Sequence, residues 1–195
     1  MHPLVKQHLS GTRDLGVLLK EYDGPPEPIL TALLHLRQSI SGQYPMEEAT
    51  READAISPEG QDPTLYHMLL QAWSVVSLRS GRMEEAEALA DLADHLTSDE
   101  IPDEVHASLL IVRGVLVSAG GNMQLANDRY VPEAMRIVPR ESPRYRLMVL
   151  QRAMWLARVG RLREVQAEFE AIEPVDDPDS RPTSADLALI QFFDD

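Results

Sequence analysis

Cysteine is absent from the 195 residues, which removes disulfide frameworks, thiolate zinc sites and cysteine nucleophiles. Lysine stands only at Lys6 and Lys20, so positive charge is carried by arginine. No apolar run approaches the roughly 18 residues of a membrane span. The opening MHPLVKQHLSGTRDLGVLLKEY lacks the basic flank, long apolar stretch and small-residue cleavage site of a secretory signal. The expectation is a soluble, cytoplasmic protein with no membrane partner. Positive charge is scarce overall: 18 basic residues face 32 acidic ones, a formal charge of -14. Such a surface repels phosphate backbones at long range, so nucleic acid is not the expected partner.

Catalytic and metal-binding patterns are also missing. The six histidines, His2, His8, His35, His67, His95 and His106, show no paired spacing of a metalloprotease helix. DDPDS at Asp176 to Ser180 lacks the glycine and closing glutamate of a calcium loop. GGN at Gly120 to Asn122 closes a helical pattern and follows no strand, and no nucleophile elbow occurs. No metal, no cofactor and no catalytic residue is expected, and the chain reads as a non-enzyme.

What is present is the composition of a single globular domain over 1–195, with 44% hydrophobic and 26% charged residues. Charge is laid down in blocks. Arg82 to Glu104 holds nine acids against one Arg, Tyr130 to Arg163 eight Arg against two acids, and Glu164 to Asp195 ten acids against one Arg. These are either solvated faces of successive helices or a basic strip that docks an acidic partner segment.

The blocks coincide with a repeat. Gly81, Gly121 and Gly160 are 40 and 39 residues apart. Five residues after each stands Ala86, Ala126 or Val165, nine after stands Ala90, Tyr130 or Phe169, and seven before stands Ser74, Gly114 or Ala153. Pro63, Pro102 and Pro143 precede the glycines by 18, 19 and 17 residues, two of them behind Asp62 and Ser142. Proline at a first helical position behind a capping Asp or Ser starts a helix, and glycine ends one. Apolar residues recur at helical spacing on both sides of each glycine. Each unit is therefore a helical hairpin, over 62–97, 102–138 and 142–173. Pro132, inside the second helix of the middle unit, should kink or split it.

This pattern resembles the tetratricopeptide repeat (TPR), most closely in the middle unit at Leu110, Gly114, Gly121, Ala126, Tyr130 and Pro139. The resemblance covers roughly Pro63 to Pro174 and implies an all-α, right-handed superhelical array of antiparallel hairpins, with about 9–10 helices. Where the family has a leucine, this chain has Trp73, Arg113 and Arg152. An arginine between two helices needs a carboxylate or must reach solvent, and the abundance of acids favours pairing.

The flanks complete the array. Residues 1–22 read as an N-terminal helix weakened near Gly11 and Gly16, with Leu15, Leu18 and Leu19 inward, and 26–56 as a degenerate hairpin turning at Gly42. Residues 174–183 read as a linker and 184–195 as a C-terminal capping helix. Its Leu187, Ile190, Phe192 and Phe193 either cover the last unit or serve self-association, as in a homodimer.

The resemblance places a partner-binding groove on the first helix of each unit. It carries over to Met68, Gln71, Val75, Leu78 and Arg79, to Ser108, Ile111, Val115 and Ser118, and to Leu147, Leu150, Met154 and Arg158. The same residues could instead form a tighter core. An aliphatic, Met-bearing groove suits an amphipathic helix or an extended apolar peptide of a protein partner. The expected function is a chaperone-like adaptor or, alternatively, a self-associating regulatory module of a signalling or transcription system.

Overall fold

The computed structural model describes residues 1–9 and 15–170, without the side chains of Pro143, Leu147 and 168–170. The expected linker 174–183 and capping helix 184–195 lie outside the described residues. The described residues contain helices and no strand. None of these helices is long and apolar enough to cross a membrane.

The N-terminal segment contains two short helices, α1 (Pro3–Leu9) and α2 (Leu15–Glu21). Gly16 does not interrupt; it lies within α2, whose Leu15, Leu18 and Leu19 are buried. Then come hairpins. α3 (Pro28–Ile40) pairs with α4 (Met46–Asp54), and α5 (Pro63–Arg79) with α6 (Met83–His95). α7 (Asp103–Ala119) pairs with a continuous helical run made of α8 (Met123–Leu125), a π-helical turn over Ala126–Tyr130, and α9 (Val131–Ile137). The last hairpin is α10 (Pro143–Arg158) with α11 (Leu162–Glu170).

The helix starts follow from their caps. The Asp62 carboxylate accepts from the N–H groups of Thr64 and Leu65 at 3.0 and 3.1 Å, and Ser142 Oγ accepts from Arg144 N–H at 3.3 Å. Pro102 stands one position earlier than spacing suggests: it is the cap residue, and Asp103 opens α7.

The stops share one geometry. Gly42, Gly81, Gly121 and Gly160 have φ of 71, 75, 91 and 78°, the left-handed region that only glycine enters without strain. In each bend the following residue returns its N–H to a carbonyl five residues back: Gln43 to Gln38, Arg82 to Ser77, Asn122 to Val117 and Arg161 to Leu156, all within 2.8–3.0 Å. This Schellman closure satisfies carbonyls that a helix end leaves open. The repeated Gly-Arg has its own reason. Arg82 pairs with Glu85 at 3.1 Å and Arg161 with Glu164 at 2.5 Å, each bracing the first turn of the outgoing helix. Asn122 takes that place in the middle unit by accepting from Leu125 N–H at 3.1 Å.

Pro132 does not split the helical run 123–137; a wider turn accommodates it. It has no N–H for the carbonyl of residue 128, and its ring would collide with that carbonyl. The turn widens instead, and Val131 N–H reaches back five residues to Ala126.

Packing runs as a series of clusters between neighbouring hairpins. One cluster joins α1 to α5, and Leu70, Ala86, Ala90 and Leu109 join α5, α6 and α7. Ala107, Ala134 and Met148, then Val115, Ala126, Val131 and Trp155, join α7 and α9 to α10. The small residues permit close approach: Ser74 Oγ donates to Ala86 O at 2.7 Å, and Gly114 faces the fully buried Trp155. Arg113 is paired, with Asp91 at 2.5 Å and Asp94 at 3.5 Å, and it also donates to Ala90 O. Arg161 hydrogen bonds hold Asp128 and Glu164 below their ordinary pKa against the opposing effect of burial, and Arg152 adds charge attraction to both.

Candidate functional site

The first helices of the hairpins meet around one cavity of about 180 Å³. α5 contributes Met68, Gln71, Ala72 and Val75, and α7 contributes Val105, Ser108, Ile111, Val112 and Val115. α3 adds Leu33, Arg37 and Ile40, and α10 adds Arg144, Met148 and Gln151. The N-terminal helices close the ring with His8 and Leu15. The space has a structural origin. α3 lies close against α5 and α5 against α7, whereas α10 rests on α9 and the π turn and keeps its backbone farther from α7. Trp155 fills one part of that gap by packing on Gly114; elsewhere α7 and α10 face each other across the cavity.

Aliphatic and Met side chains make most of the wall, and the polar groups are few. Gln71 is locked in place: its Nε2 donates to Val105 O at 2.9 Å and to His67 Nδ1 at 2.8 Å. With Nδ1 accepting, His67 carries its proton on Nε2 and donates to Thr97 Oγ1 at 3.0 Å, and Thr97 donates onward to Ala93 O at 3.1 Å. This chain ties α5 to the end of α6 and the start of α7 behind the cavity wall. Burial lowers the pKa of His67 to about 4, aided by repulsion from His106, so the ring is neutral and suited to the network.

Among the described residues that line the cavity, Arg37 and Arg144 carry guanidinium groups and none is Asp or Glu. Arg144 donates to Ser108 Oγ at 3.4 Å and to His8 Nε2, which places the His8 proton on Nδ1. Gln151 is 6% exposed, and its Nε2 has no hydrogen-bond partner among the described residues.

Of the residues expected to bind a partner, Met68, Gln71, Val75, Ser108, Ile111 and Val115 are brought together here. Others are not. Leu78 is half-buried in the packing between α5 and its neighbours. Arg79 is turned to the end of α3, where it donates to Ile40 O, and burial lowers its pKa. Leu150 and Met154 are half-buried outside the cavity lining, and Arg158 is exposed at the end of α10. The side chain of Leu147, and the whole of Leu187, Ile190, Phe192 and Phe193, lie outside the described residues.

On α10 the lining residues Arg144, Met148 and Gln151 occupy a face displaced from that of Leu147, Leu150 and Met154. The π turn accounts for the displacement. Each extra residue in a helical turn rotates the chain beyond it by about 100°, and α10 docks on the segment so rotated. Arg37 and His8 had no sequence signal, because the first hairpin carries two extra residues after Gly42 and the contact of His8 with Arg144 spans 136 residues. Among the described residues no group of His, Asp and Glu is arranged to hold a metal ion. Comparison with protein-family models, curated proteins and solved structures finds no match to this chain.

Proposed function

We propose that this chain is a non-enzymatic binding protein, a TPR-like superhelical array that holds an apolar segment of a protein partner along α3, α5, α7 and α10. The observation that carries the reading is the shared cavity: among the described residues, the first helix of every hairpin, and none of the second helices, supplies its wall. One-sided lining by alternate helices is what a stacked array of hairpins produces on its inner face. Aliphatic and Met side chains there fit the apolar residues of an amphipathic helix. Solubility in a reducing cytoplasm accords with the absence of cysteine.

The test is fluorescence anisotropy of the full chain with labelled amphipathic peptides. Met68→Asp and Ile111→Asp should each weaken binding at least about tenfold, since a charge would be buried against the peptide's apolar face. Arg158→Glu, outside the cavity, should leave it unchanged. Equal affinity of the two cavity variants and the parent would place the partner surface elsewhere.

A further inference from the structure

We propose that the cavity is also a binding site for a small neutral carbonyl compound such as a ketone, with its hydrocarbon body between α5, α7 and α10 and its carbonyl oxygen on the Gln151 amide. This goes beyond a protein partner and shares only the cavity with that reading.

Size comes first. An apolar cavity of about 150 Å³ holds a benzene molecule, and the space here is 180 Å³. That accommodates an apolar body of about six to eight carbons, a ring rather than a helix. Wall chemistry comes second. Ile111, Val115 and Met148 offer no hydrogen bonds, so the enclosed portion of the ligand must be hydrocarbon. The neutral polar positions come third. Gln71 Nε2 already donates to Val105 O and His67 Nδ1, and Ser108 Oγ donates to Glu104 O at 2.8 Å. Neither of these donors needs a ligand.

Gln151 supplies the independent observation. It is 6% exposed, lines the cavity, and its buried Nε2 has no hydrogen-bond partner among the described residues. Buried amide donors are almost always satisfied. The terminal torsion of a glutamine is soft, so the amide can turn its NH2 group to an oxygen held in the cavity. An unpartnered donor calls for an acceptor, and a carbonyl supplies one without bringing a donor of its own that would need a partner. A second polar group on the ligand would be buried against aliphatic side chains. The ligand carries no charge, so its recognition makes no demand on Arg37 or Arg144.

Isothermal titration of the full chain with acetophenone and with α-methylstyrene tests the proposal. The two have the same shape, a methylene carbon replacing the carbonyl oxygen in the second. Acetophenone should bind at one site per chain. Gln151→Leu, close in volume, should lower the ratio of acetophenone affinity to α-methylstyrene affinity at least about fivefold, because only the ketone accepts a hydrogen bond from the amide. The different hydration of the two ligands cancels in that comparison of parent and variant. Gln151→Met reads the same loss if Gln151→Leu fails to fold. Methyl NMR of the parent protein provides the control that needs no variant: acetophenone should shift Met68 and Met148, which line the cavity, and not Met83 on α6. No saturable binding of acetophenone, an unchanged ratio, or shifts that miss Met68 and Met148 would each overturn the proposal. Peptide binding without acetophenone binding overturns this inference alone. Acetophenone binding without peptide binding overturns only the protein-partner reading.

Discussion

The Trp155 indole occupies the space a side chain on Gly114 would need: a β-carbon there would stand 2.9 Å from Cζ3 and 3.0 Å from Cη2. Trp155 is fully buried, so the ring has nowhere to retreat. Gly114→Ala should therefore destabilise the protein by about 1–2 kcal/mol, overpacking outweighing the ~1 kcal/mol that Ala adds to helix propensity. Urea unfolding measures it. In a Trp155→Phe background the obstructing atoms are gone, and the same substitution should be neutral or stabilising.

The three repeat bends should respond alike. At Gly81, Gly121 and Gly160 an added β-carbon meets nothing within 4 Å, so alanine is opposed by backbone conformation alone. Each substitution should cost about 1–2 kcal/mol, and the double variants should be additive because the bends share no contacts. Unequal costs in urea melts would show that the bends are not equivalent.

Stability should fall on acidification through His67. Its folded pKa of about 4 lies below its ordinary 6.5. Between these values the unfolded chain binds a proton that the folded chain refuses, so stability is full above about pH 6.5 and declines toward pH 4. The full loss is about 3 kcal/mol. In His67→Gln this contribution to the slope of unfolding free energy against pH should vanish. An unchanged slope would mean that the buried ring is not the group responsible.

Arg113 lies 20% exposed while Asp91 and Asp94 are 59 and 55% exposed, so water screens the pair. Arg113→Leu should change stability by less than about 1 kcal/mol. Asp91→Ala combined with Asp94→Ala should be similarly mild. A double-mutant cycle by thermal unfolding reads the coupling directly.

Helix boundaries were largely legible, because Asp62, Pro63, Ser142 and the left-handed glycines act through local backbone chemistry. About a third of the candidate site was legible for the same reason: α5 and α7 keep the repeat's register, so Met68, Gln71, Val75, Ser108, Ile111 and Val115 fall on one face. The remainder depends on contacts no local pattern encodes. Arg79 resembles a groove residue until the carbonyl of Ile40 is beside it. Arg144 and Gln151 enter the cavity only because α10 docks on a rotated segment, and His8 reaches Arg144 across nearly the whole chain.

The π turn at Ala126–Tyr130 makes this array aperiodic in a directional way. The hairpins α3–α4 and α5–α6 upstream contain no such turn. Downstream, α10 rests on α9 and the turn itself, so the final hairpin is matched to a seat that the earlier hairpins do not offer.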